Sequence, residues 1–115
     1  MLGLSANLNY YLFNGNVDLR KGIFRLCESI REEMSLDPSD ASNVYMFMSR
    51  NRKVVKILHY ERGFYVLYEK RPVMGRFKKP VFDEVSRCYR IQWSDMAYLT
   101  ESFVVDRMYV TPKNE

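Results

Sequence analysis

Val54-Val55-Lys56-Ile57-Leu58-His59-Tyr60-Glu61-Arg62-Gly63-Phe64-Tyr65-Val66-Leu67-Tyr68-Glu69-Lys70 is the stretch that decides how this chain folds. Two runs rich in β-branched and aromatic side chains flank Glu61-Arg62-Gly63. That pattern predicts a β-hairpin with a three-residue loop and Gly63 in its left-handed position. With Tyr60 set opposite Phe64, one face of the pair carries Lys56, Leu58, Tyr60, Phe64, Val66, Tyr68 and Lys70. The other carries Val55, Ile57, His59, Tyr65, Leu67 and Glu69, since side chains alternate along a strand. Neither face is polar throughout, so both sides of the sheet are expected to be partly covered.

Working outward, Ser49-Arg50-Asn51-Arg52-Lys53 reads as a basic turn, preceded by a strand at Val44-Tyr45-Met46-Phe47-Met48. Further upstream, Asn9-Tyr10-Tyr11-Leu12-Phe13 is a short strand that stops at the turn cluster Asn14-Gly15-Asn16. Between the two lies an amphipathic helix over 18–35. Ile23, Leu26, Cys27, Ile30 and Met34 fall at helical offsets, with Arg20, Lys21, Arg25, Glu28, Arg31 and Glu32 on the opposite side. Asp18 is expected to cap its start and Asp37-Pro38 to close it.

Downstream, Arg71 to Pro80 holds two prolines, which restrict it to edge or loop geometry and should leave it accessible. Cys88-Tyr89-Arg90-Ile91-Gln92 alternates as a strand. Ser94 is placed to cap a short helix through Phe103, with Trp93, Met96, Tyr98 and Leu99 making its apolar contacts. No internal repeat, linker or low-complexity tract divides the chain. The expected fold is a single α+β domain spanning 1–115. An antiparallel β-meander sheet of about five strands packs with one long amphipathic helix and a short C-terminal helix. The core covers about 8–103, and the tail 104–115 is expected to fray.

At 115 residues, 47% hydrophobic and 15% aromatic, the chain can bury roughly two-thirds of its unfolded surface without disulfide or metal support. Cys27 and Cys88 supply no disulfide framework and no Cys-x-x-Cys, and are read as small core residues. The longest apolar runs fall well short of the ~20 residues that span a bilayer, and 1–9 lacks the pattern of a secretory signal. A cytoplasmic location with no membrane association is therefore the expectation.

The residues do not point to catalysis. A histidine-based nucleophilic site would have to use His59, which sits inside the hairpin with no nucleophile motif beside it. Metal chemistry needs converging carboxylates, but Asp83-Glu84, as neighbours on an extended chain, point to opposite sides. The five glycines are scattered and form no phosphate cradle. No catalytic residue, cofactor or metal is expected, and the protein is not read as an enzyme.

Charge is the informative feature. Between 50 and 79 stand ten basic residues, Arg50, Arg52, Lys53, Lys56, Arg62, Lys70, Arg71, Arg76, Lys78 and Lys79, against Glu61 and Glu69 alone. The segment carries +8 while the rest of the chain carries −4, which together make the modest total of +4. Lys and Arg in one stretch neutralise phosphates and release counterions, and the interleaved His59, Tyr60, Tyr65, Tyr68 and Phe77 offer rings for stacking. These ten residues are the candidate nucleic-acid contacts. No helix-turn-helix or zinc finger is present to read bases.

An ordered set of short motifs adds to this reading. Val17-Asp18-Leu19-Arg20-Lys21-Gly22 and Leu36-Asp37-Pro38 are followed by Phe47, Arg50-Asn51-Arg52 and Val55-Lys56-Ile57-Leu58. Tyr60, Gly63-Phe64, Leu67-Tyr68-Glu69-Lys70-Arg71 and Gly75-Arg76-Phe77 complete it. Over about 8–103 the chain resembles the accessory protein encoded by the second reading frame (TnpB type) of bacterial insertion sequences of the IS66 type. The resemblance implies a small non-enzymatic protein used in DNA transposition beside a separate transposase of the same element as its partner, while DNA is the partner expected from the basic segment. It carries over no catalytic roles, and marks Arg20, Lys21, Arg50, Asn51, Arg52, Lys56, Lys70, Arg71 and Arg76 only as matching positions. Glu61-Arg62 stands where relatives often have an Asp-Gly-rich turn, which adds charge to the hairpin tip. The alternative partner mode is a protein–protein adaptor that docks an acidic surface of the transposase without touching DNA.

Overall fold

The computed structural model describes residues 4–14, 18–20, 22–81, 86, 88–101 and 103–104. Its elements in chain order are β1 (Asn9–Phe13), α1 (Ile23–Glu33), β2 (Asn43–Met48), β3 (Val55–Glu61), β4 (Phe64–Lys70), β5 (Arg76–Phe77), β6 (Cys88–Ile91), α2 (Trp93–Glu101) and β7 (Phe103–Val104). Five strands form one sheet in the order β4-β3-β2-β1-β6, and β5 pairs with β7 in a two-stranded ribbon. The antiparallel meander β2-β3-β4 is as the sequence predicts. β1 departs from it by running parallel to β2, because α1 forms the crossover that returns the chain to the same end of the sheet.

The hairpin register differs by one residue from the expectation. Tyr60 faces Tyr65 and Glu61 faces Phe64, leaving a two-residue loop of Arg62 and Gly63. Both loop residues have positive φ, 48° at Arg62 and 90° at Gly63, the geometry of the tight turn whose twist matches a hairpin. A one-residue slip moves every β4 side chain to the other face. Tyr65 and Leu67 therefore pack beside Leu58 against α1, while Tyr68 joins Ile57 on the opposite side.

α1 is shorter than the expected 18–35 span. Gly22 takes the N-cap position, and Asp18 instead closes a turn, accepting the Arg20 N–H at 3.0 Å and pairing with the Arg20 guanidinium. The helix ends at Glu33, ahead of Asp37-Pro38. Ser35 adopts φ 54° and the Leu36 N–H returns to the Ile30 carbonyl, so the chain turns before the proline is reached. α2 likewise begins at Trp93, with Ser94 inside it, and the Met96 N–H bonds the Gln92 carbonyl. Val104, the first residue of the tail expected to fray over 104–115, pairs in β7 with Arg76, and the rest of that tail lies outside the described residues.

Both faces of the sheet are covered. On one, Leu26, Cys27 and Ile30 of α1 bury Phe13, Tyr45, Phe47 and Leu58. On the other, Met96 of α2 and Phe77 of β5 close over Tyr10, Leu12, Val44, Met46, Val55 and Ile57. Tyr45 is fully buried, yet its hydroxyl is satisfied, donating to the Asp37 carbonyl at 2.7 Å and accepting from Asn43 Nδ2 at 3.1 Å. Two expectations are corrected here. Phe77 is 3% exposed, because the proline-bounded segment folds its ring into the core. Tyr98 points outward, with the Lys78 ammonium 4.7 Å from its ring centroid.

Candidate nucleic-acid interface

The turn joining β2 to β3 is built on Ser49. Its Oγ accepts the N–H groups of Lys53 (3.1 Å) and Val54 (3.0 Å), and its own N–H bonds the Val54 carbonyl. Arg52 occupies the left-handed region at φ 59°, its N–H returning to the Ser49 carbonyl at 2.9 Å. This compact turn exposes Arg50 and Lys53. It is joined to β5 by paired bonds: the Phe77 N–H donates to the Arg52 carbonyl at 2.8 Å, and Arg52 Nη1 donates to the Phe77 carbonyl at 3.2 Å. Burial of Phe77 thus draws the basic 76–79 segment up to the basic 49–53 turn.

Both segments line a groove of about 490 Å³, formed by Arg50, Arg52, Arg76 and Lys79 together with Asn14, Ser49, Leu12, Phe13, Met48 and Pro80. Its floor is the end of β1 and β2. Arg50 and Lys79 form no ion pair among the described residues. Asn14 and Ser49 are not among the ten contacts expected from the sequence, which places both in turns, Asn14 in the Asn14-Gly15-Asn16 cluster and Ser49 at the head of the basic turn, but does not say that these turns meet.

The other predicted contacts do not converge on this groove. Lys53 projects from the same turn. Lys56 lies on the α1 side of β3 with its side chain 12% exposed, bonded to the Leu19 carbonyl and 3.7 Å from Glu69. Lys70 pairs with Glu101 at 3.0 Å and Arg71 with Glu69 at 2.8 Å. The Arg71 hydrogen bond, with help from Lys56, holds the Glu69 carboxyl below the usual carboxylate range. Lys78 is engaged by Tyr98. Arg62 sits at the hairpin tip, the far end of seven-residue β3, roughly 20 Å from the turn at ~3.3 Å per residue.

The rings are also sorted by burial. His59 is 4% exposed and offers no face to a base. Its Nε2 lies 2.9 Å from the Ala41 carbonyl and its Nδ1 3.1 Å from Glu61 Oε1, so both nitrogens are occupied by acceptors and neither meets a nucleophile. Burial pushes the Cys27 and Cys88 thiols up, away from the reactive thiolate. Among the described residues no three His, Cys, Asp or Glu side chains gather to hold an ion, and Asp83 and Glu84 lie outside those residues. No described helix is long and apolar enough to cross a membrane.

These elements define a small α+β domain on a mixed five-stranded sheet, with a cationic groove at one sheet end. The chain belongs to the family described as IS66 Orf2 like protein, whose model matches residues 8–109. Membership gives it an accessory role in the transposition of an insertion sequence, in a family of accessory proteins not known as enzymes. It is also similar to the uncharacterized protein y4hO of Sinorhizobium fredii (strain NBRC 101917 / NGR234), at 29% identity over 80 residues covering 70% of this chain and 69% of that protein. No solved structure matches the chain.

Proposed function

We propose that the protein is a non-catalytic accessory factor that contacts DNA, alone or in the transposase–DNA complex, within the cytoplasm. The contact surface is the basic region of the 49–53 turn and the 76–79 segment. The observation that carries this reading is the convergence of Arg50, Arg52, Arg76 and Lys79, from segments far apart in sequence, on one groove. Cations held on a shaped surface bind phosphate oxygens and fix position without reading bases, so sequence choice belongs to the transposase. Lys56, Lys70, Arg71 and Lys78 have partners within the protein and contribute to the field rather than to direct contacts. The test is fluorescence anisotropy with DNA from the ends of the element. Binding is expected at low salt and should fall steeply as salt rises; absence of binding at low salt would remove the proposal.

A second reading is an adaptor that docks an acidic surface of the transposase without touching DNA. Phe24 and Phe64, 76% and 72% exposed near the β4 edge, favour it, because exposed rings are common anchors in protein interfaces. Co-purification with the transposase that survives nuclease treatment, from a protein that does not bind DNA by itself, is the outcome this reading requires.

A further inference from the structure

We infer that the outer edge of β4 pairs antiparallel with β4 of a second copy of this chain, joining two five-stranded sheets into one across a two-fold axis. The inference concerns a different surface from the groove and does not depend on DNA contact. β4 is an end strand of the sheet, and among the described residues its strand partner is β3 alone. In a hairpin with a two-residue loop the pair beside the loop, Glu61 and Phe64, is hydrogen-bonded, and bonded pairs alternate along the ladder. Phe64, Val66, Tyr68 and Lys70 therefore bond β3, and the N–H and C=O groups of Tyr65, Leu67 and Glu69 point outward. Among the described residues no backbone hydrogen bond meets these outward groups.

This edge lacks the features that keep exposed strands apart. β6, the other end strand, is four residues long and carries the exposed Arg90. β4 has seven residues, no proline and an unbroken register on β3 from Lys70 with Val55 to Phe64 with Glu61. Exposed rings also flank it on both faces. Phe24 of α1, 76% exposed, lies edge-on to Tyr65 with ring centroids 6.3 Å apart. Phe64, 72% exposed, stands on the opposite face, the side of Ile57 and Tyr68.

The occupant is a second copy because the strand is complementary to itself. With Leu67 on the axis, Tyr65 faces Glu69 of the second copy and Leu67 faces its own counterpart. All three outward residues of each strand then bond in pairs, about six bonds in all. Val66 opposes Tyr68, Phe64 opposes Lys70, and no like charges meet. Moving the axis to Val66 sets Arg62 against Lys70, and moving it to Tyr68 carries Tyr65 beyond the end of the facing strand at Lys70.

The test is amide hydrogen exchange of the full chain by NMR across a dilution series, beside its mass by sedimentation equilibrium. The mass should rise from 13.8 kDa towards twice that value with concentration. The Tyr65, Leu67 and Glu69 amides should slow by about tenfold as it does so. The Phe64, Val66, Tyr68 and Lys70 amides, bonded to β3 in both states, should change far less. Leu67→Pro removes an outward donor that an edge strand can spare, and should weaken the dimer about 30-fold through two lost bonds, with a melting curve to confirm the fold. A chain that stays monomeric, or a dimer whose Tyr65, Leu67 and Glu69 amides exchange as in the monomer, would overturn the inference. A folded Leu67→Pro protein that dimerises as before would do the same. Protection that appears only when the transposase is added would also overturn it, and would give the edge to that partner.

Discussion

Arg52 reaches across 25 residues of chain to donate from Nη1 to the Phe77 carbonyl at 3.2 Å, while its own carbonyl accepts the Phe77 N–H at 2.8 Å. One residue thus contributes charge to the groove and ties together the two segments that line it. The planar guanidinium can make that bond while other N–H groups face the recess; a lysine ammonium has no such fork.

Arg52→Lys should separate the two roles. The charge stays, but the Phe77 carbonyl loses its side-chain donor, costing about 1 kcal/mol of stability in urea denaturation. DNA affinity should drop although net charge is unchanged. An Arg52→Lys protein with full stability and full affinity would show that the bond between the turn and the 76–79 segment is dispensable.

The hairpin tip offers a prediction of opposite sign. Arg62 bears a left-handed φ of 48° that a side chain tolerates poorly, so Arg62→Gly should raise stability by a few tenths to about 1 kcal/mol. Gly63→Ala should cost about 1 kcal/mol from its φ of 90° alone, since nothing lies within 4 Å of the added Cβ. Paired thermal melts of the two variants measure both.

These positions show what the sequence could and could not convey. The hairpin, the neighbouring strand β2 and the amphipathic α1 follow from local alternation and helical spacing, so they were legible from residue type alone. Register was not, because Glu61-Arg62-Gly63 suits a three-residue loop as well as a two-residue one, and only the positive φ at Arg62 selects the latter. The parallel placement of β1 depends on which strand α1 returns to, a tertiary choice that no local pattern encodes. The ten basic residues were visible as a run, but their sorting into groove-lining, internally paired and remote groups depends on Phe77 being buried. A proline-flanked Arg76-Phe77-Lys78-Lys79 gives no sign of that.

Phe77 should therefore matter more than its basic neighbourhood suggests. At 3% exposure, Phe77→Ala should cost about 3–5 kcal/mol, whereas Phe64→Ala, at 72% exposure, should stay within about 0.5 kcal/mol. Chemical denaturation of both variants tests whether the 76–79 segment is carried on the core.

Tyr45 supplies the pH dependence. Burial pushes its hydroxyl up to about 12, and in the unfolded chain it titrates near the ordinary tyrosine value of 10.0. A folded value above the unfolded one means that the stability is intact below pH 10 and is lost as pH rises towards about 12, by on the order of 2 kcal/mol. Tyr45→Phe should flatten this alkaline decline. At neutral pH it should cost about 1–3 kcal/mol, because Asn43 Nδ2 and the Asp37 carbonyl lose their hydroxyl partner. Denaturation midpoints at pH 8 and pH 11 decide it.

The most direct measurement is the transposition frequency of an element carrying Arg50→Glu/Lys79→Glu, beside Arg62→Glu as a charge-reversal control outside the groove. With both proteins folded by melting temperature, the groove variant should reduce transposition to the level seen without this protein. The hairpin-tip variant should support the normal frequency. Normal transposition with the groove variant would contradict the assignment of this protein's accessory role to the groove at the end of its sheet.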